Sequence, residues 1–151
     1  MLTILVPMSG IGYERGTPFL LARLGSLAAR AWTAFLADYG ITQTQHAVMI
    51  AIREQGPVGQ RRLAELAAMD ARNIVAVLDS LTAAGLAERG PHDTDRRRRV
   101  VSLTASGTRL INTIGQAAAH GQDHFLRSLS PAERDHLNDL LQRLYNAHVH
   151  A

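Results

Sequence analysis

The feature that most constrains this chain is the stretch from Leu86 to Thr104, LAERGPHDTDRRRRVVSLT. Two short apolar runs, Leu86-Ala87 and Val100-Val101-Ser102-Leu103, flank a tip of different character. Gly90-Pro91 opens that tip with turn chemistry, and Asp93-Thr94-Asp95 continues it. Arg96 to Arg99 then place four guanidinium groups on one arm. The pattern predicts a β-hairpin with a long charged loop. Such a loop cannot be core. Its arginines suit phosphate oxygens and a narrow, electronegative minor groove. The plainer reading is a solvated run of charge on a surface hairpin. What precedes the hairpin decides between them.

Just before it, two short helices are expected. Gln60 to Ala68 places Leu63, Ala64, Leu66 and Ala67 inward, and Met69-Asp70 turns the chain. Asp70 caps a helix from Ala71 to Ala84 with apolar Ile74, Val77, Leu78 and Leu81, and Gly85 closes it. Two helices joined by a tight turn and followed at once by a hairpin have the order of a winged helix-turn-helix. The outward residues of the second helix's first turns are Ala71, Arg72, Asn73 and Ala76. They are short or hydrogen-bonding, as a helix lying in a major groove requires. Gln60 and Arg61, opening the helix before the turn, and Asp95, Arg96, Arg97 and Arg98 of the loop complete the candidate DNA contacts.

Around this lobe lie longer helices. Pro18 to Tyr39, with Thr17 as cap, carries Leu20, Leu24, Leu27, Ala28, Ala31 and Phe35 at helical spacing. Leu21, Trp32 and Leu36 add a second stripe, so this helix has two partners, one of which suits another chain. Thr42 and Gln45 stand in capping-box spacing ahead of a helix to Gln55, and Val58 suits an isolated strand residue. Thr104 to Leu129 forms a long helix, and Ser130-Pro131-Ala132-Glu133 is a complete start for the last one. The fold class expected is mainly α with a small β-hairpin wing: a winged helix-turn-helix lobe at about 42–104, dimerisation helices at about 17–39 and 105–148, and an N-terminal extension at 1–16.

Composition narrows the function. A chain of 151 residues suits one domain, or one domain plus dimerisation helices. An apolar share of 46% is enough for a core, built mostly from Leu, Ala, Val and Ile because aromatics are scarce. The net charge is +3, and all 16 basic residues are Arg. The absence of Cys excludes disulfides, thiol redox sensing and Cys-ligated zinc. No apolar run approaches the roughly 18 residues of a membrane span. Met1 to Met8 lacks the basic flank and the length of a signal peptide. A cytoplasmic protein with no membrane partner and no cofactor is expected.

The run LAELAAMDARNIVAVLDSLTAAGLAERGPHDTDRRRRVVSLTASG resembles the MarR family of bacterial transcriptional regulators. The resemblance rests on Leu-Ala-Glu-Leu-Ala before the turn, Leu78-Asp79-x-Leu81 and Gly85-Leu86-x-Glu88-Arg89 at the end of the next helix, Asp95-Arg96-Arg97 in the loop, and Leu103-Thr104-x-x-Gly107 after it. Thr42-x-x-Gln45 also fits. It implies a homodimer with intertwined terminal helices that binds a pseudo-palindromic double-stranded DNA operator, usually as a repressor released by a small molecule. Arg97 then falls where a wing Arg enters the minor groove, Asp95 where an acidic partner orients it, and Arg72 and Asn73 where base or phosphate contacts are made. Arg98 and Arg99 make this wing more basic than the family pattern.

The resemblance also places an effector near the first, second and fifth helices. Arg23 lies where relatives with acidic aromatic ligands often carry an Arg, and His46 at a pocket-facing position. An Arg binds a carboxylate bidentately, so the effector class expected is a phenolic or aromatic carboxylate; the alternative is that Arg23 serves an internal ion pair. His120 and His124, four apart, have metal-sharing spacing, against which stands the ordinary reading of solvent-facing imidazoles. A metal-responsive regulator built on them, or a ligand-independent architectural DNA-binding dimer, are the other readings. No catalytic constellation stands out, so no enzyme is expected.

Overall fold

The computed structural model describes residues 12–149, so the expectations for Met1 to Met8 and for most of the 1–16 extension lie outside the described residues. Tyr13–Arg15 form a single 3-10 turn ahead of α1, Thr17–Ala37. Gly16, not Thr17, occupies the cap position of α1, and the helix stops two residues short of Tyr39. By length and apolar composition α1 is a helix that reaches a membrane-crossing span. The sequence reading did not anticipate this, because Arg23 and Arg30 interrupt the apolar run.

The lobe that follows is built by local capping. Thr42 Oγ1 accepts from the Gln45 amide at 3.1 Å, and Gln45 Oε1 accepts from the Thr42 amide at 2.9 Å. This reciprocal box starts α2, Gln43–Gln55. α3, Gln60–Leu66, is shorter than expected, and Leu66 is exposed rather than inward. The chain turns at Ala67-Ala68: the Met69 amide reaches the Ala64 carbonyl at 2.9 Å and the Ala68 amide reaches that of Glu65 at 3.2 Å. These two bonds make a Schellman ending with Ala68 in the left-handed position, at φ 50. α4, Ala71–Ala83, starts on Asp70, whose Oδ1 accepts from the Asn73 amide at 2.8 Å. Val48, Met49 and Ile52 of α2, Leu63 of α3, and Ile74, Leu78 and Leu81 of α4 are all buried and form the core of the lobe.

The hairpin pairs β1, Ala87–Pro91, antiparallel with β2, Arg99–Leu103. Its register matches Gly90 with Val100 and Pro91 with Arg99, so both turn-forming residues lie in the strand and the loop is shorter, 92–98. Val58 adds the expected isolated bridge, to Val101. The hairpin root is tied to the start of α5, Ala105–Phe125. Thr104 donates its hydroxyl to the Gly85 carbonyl at 2.6 Å and accepts from the Gly107 amide at 3.0 Å. Gly107 is required there: a Cβ on it would stand 2.0 Å from the Leu86 carbonyl oxygen. α5 ends at Phe125 rather than Leu129, and α6, Pro131–Val149, begins with the expected Ser130–Glu133 box.

The described residues divide into two compact units, with the boundary inside α5 at Asn112/Thr113. In the second unit, Arg134 bonds Asp123 at 2.7 Å and the carbonyls of Leu126 and Leu129 at 3.1 and 3.0 Å, closing the bend before α6.

Candidate nucleic-acid interface

Asp70 organises the first turn of α4. Besides capping the helix, its Oδ2 accepts from Asn73 Nδ2 at 3.0 Å. That bond fixes the amide's orientation and leaves one N–H and the carbonyl oxygen of Asn73 unspent among the described residues. A donor and an acceptor side by side match the edge that adenine offers in a major groove. Ala71, Arg72 and Ala76 are exposed on the same helix, and Arg72 joins no ion pair among the described residues. Asp79, two turns on, pairs with Arg89 of β1 at 2.8 Å. Arg89 is only 29% exposed, so this pair lashes the hairpin to α4.

The loop is an ordered turn rather than a loose tip. The His92 amide donates to the Arg98 carbonyl at 2.9 Å, and the Arg98 amide to the Asp95 carbonyl at 3.0 Å. Asp95 Oδ1 accepts from the Arg97 amide at 3.1 Å, and His92 Nδ1 accepts from the Thr94 amide at 3.2 Å. Asp95 therefore holds Arg97 by its backbone and leaves the guanidinium outward. Arg96, Arg97 and Arg98 are exposed, and none of them joins an ion pair among the described residues. Arg99 has moved into β2.

Arg98 also lines an open groove of about 360 Å³ with Gln55, Pro57, Val58, Gly59, Arg61, Arg62 and Glu65. Three arginines thus line the groove where the wing loop meets α3. Glu65 offsets them weakly, at 3.9 Å from Arg61 and 3.2 Å from Arg62, because both pairs are exposed. Gln60 opens α3 beside them and is half-buried. Sequence reasoning missed Arg62 here, although its doublet with Arg61 was the available signal. It also missed Asp79 and Arg89 as an ion pair.

Arg23 and His46 are not brought into contact. His46 is half-buried, its ring edge-on to Trp32 of α1 at 5.1 Å. Burial lowers its pKa from the ordinary 6.5, and Arg53 lowers it further. Its neutral form is favoured, so it offers a hydrogen bond rather than a charge. Arg23 is exposed and outside every ion pair among the described residues. It lies six residues before Ala29, where Gln43 of α2 reaches α1, which is about 9 Å along the axis. His120 and His124 are exposed on α5, and no group of three metal-binding side chains occurs among the described residues.

Comparison with known proteins decides what this lobe is. The sequence model of the MarR family matches residues 39–98. The transcriptional regulator HosA of Escherichia coli O111:H- is 30% identical over 116 residues, covering 77% of this chain and 84% of that protein. This chain belongs to the MarR family. The transcriptional repressor NicR of Pseudomonas putida is 27% identical over 143 residues, covering 89% of this chain and 90% of that protein. A structure of Bordetella bronchiseptica BpsR, concerned with regulation of its DNA binding by 6-hydroxynicotinic acid, superposes with a TM-score of 0.68. It covers 91% of this chain and 98% of BpsR at 24% identity, which speaks to the fold. As a MarR-family member the chain is a DNA-binding transcriptional regulator and not an enzyme.

Proposed function

We propose that this MarR-family protein is a cytoplasmic homodimeric repressor that releases its operator when an aromatic acid binds. The observation that carries the DNA reading is the positive surface of the lobe, which Glu65 offsets only weakly. Arg61, Arg62 and Arg98 line one open groove, and Arg72, Arg96 and Arg97 are exposed and join no ion pair among the described residues. In this reading Ala71, Arg72, Asn73 and Ala76 enter the major groove, and Arg97 enters the minor groove from a wing shaped by Asp95. Gln60, Arg61, Arg96 and Arg98 take phosphates. A dimer places two such lobes on a pseudo-palindromic site, with half-sites about 34 Å apart.

For the effector, the proposed contacts are the Trp32–His46 aromatic pair and, separately on α1, the exposed Arg23 guanidinium for a carboxylate. The acid named for BpsR is of this chemical class. A hundredfold loss of operator affinity needs about 2.7 kcal/mol of differential binding, and no contact that is equal in both states supplies it. Nothing observed favours the two other readings, an architectural dimer without a ligand and a metal-responsive regulator using His120 and His124.

The test is selection of operator fragments from a random DNA pool, followed by gel-shift titration. Arg97→Ala is expected to weaken binding about tenfold and to lower the salt slope by about one unit, with the fold intact. Unchanged affinity removes the wing from the interface. Benzoate and 6-hydroxynicotinate are then added. Arg23→Ala should bind the operator and no longer respond, and a variant released as readily as wild type places the pocket elsewhere.

A further inference from the structure

The first turn of α2 is gripped from two sides. Gln43 and Gln45 are two residues apart, about 200° around the helix, so their side chains point in opposite directions. Gln43 Nε2 donates to the Ala29 carbonyl at 3.0 Å and to Thr33 Oγ1 at 2.8 Å, both on α1. The Thr33 hydroxyl in turn donates to the Ala29 carbonyl at 3.0 Å. On the other side, Gln45 Nε2 donates to Ser80 Oγ of α4 at 2.9 Å, and Ser80 donates to the Val77 carbonyl at 2.7 Å. The other end of the same Gln45 amide is the acceptor of the capping box. A Glu would serve that box equally well but has no N–H for Ser80. His46, the next residue, carries the edge-on contact to Trp32.

We propose that Gln45 is a positioning residue: through Ser80 it sets α4 against the α1–α2 pair, so that a change at α1 is felt by the DNA-facing turns. This rests on the reading that α4 contacts DNA. Apolar packing between these helices is non-directional and tolerates sliding. Hydrogen bonds of 2.7–3.0 Å do not, because they weaken steeply out of line. Three helices joined by such bonds in series therefore move as one, or break at a defined link.

The experiment is a double-mutant cycle. Gln43→Ala cuts the α1 end and Ser80→Ala cuts the α4 end; each leaves the capping box in place. Operator affinity is measured on fragments selected by the wild type, with thermal melts confirming that each variant folds. Each single change should weaken binding about threefold or more, and the double variant no further than the weaker single. Ser80→Thr, which keeps the hydroxyl, should restore binding. Multiplying effects, or Ser80→Ala binding as wild type does, would overturn the proposal. If the wild type selects no DNA, the DNA-contact reading fails. Amide exchange over Val77–Leu81 of the free protein then decides the relay: Gln43→Ala should speed it, and unchanged exchange overturns the link.

Discussion

Ala68 is the one non-glycine residue with positive φ among the described residues. The left-handed conformation costs an L-residue about 1–2 kcal/mol, while glycine gives back about 0.5–1 kcal/mol in chain entropy. Ala68→Gly should therefore stabilise the protein by about 0.5–1 kcal/mol, a rise in melting temperature of about 2 °C. A lower melting temperature would show that the turn is not strained. His46 makes a second prediction. Its folded pKa lies below 6.5, so near that pH the unfolded chain binds more protons and stability rises with pH. Melting temperature should fall as pH drops from 7 through 6.5 and below, and His46→Gln should flatten that slope in melts across the same range. These two residues differ in how openly the sequence declares them. His46 could be picked out, but its edge-on contact with Trp32 depends on how α1 and α2 meet. Ala68 carries no turn signal at all, since only backbone bonds put it in the left-handed region. Asp70, Thr42, Ser130 and Glu133 were legible because caps act over three residues.

Among elements, the hairpin shows where reading the chain runs out. Gly90-Pro91 has the chemistry of a turn whether it opens a loop or ends a strand, and only the pairing with Val100 and Arg99 settles it. Gly107 was visible as part of a motif, yet its reason is the Leu86 carbonyl, 21 residues upstream. The link from Gln45 to Ser80, 35 residues apart, left no trace in the sequence. Gly107→Ala should push the hairpin root off the first turn of α5. The expected loss is about 2 kcal/mol or more, in the range of overpacked cores, read as a lower urea midpoint. A midpoint equal to wild type would mean that the root yields without cost. The same variant should bind operator weakly even where it is folded, because the wing is carried on that root.

At the scale of the whole molecule, apolar surface remains to be covered. Leu24 and Leu27 of α1 are each 48% exposed, and Leu140, Leu144 and Tyr145 of α6 are exposed as well. Stripes like these mark protein interfaces, and a second copy is the partner proposed here. Sedimentation at micromolar concentration should show dimer alone, and a folded monomer would remove the dimer from the mechanism. Such a dimer carries two wings, each already shaped by the bonds around Asp95. Ordering one residue costs about 1–2 kcal/mol of backbone entropy, and for the bonded residues of the loop folding has met that cost before DNA arrives. Once one lobe has docked, the second meets its half-site at a high effective concentration with less of its loop left to freeze.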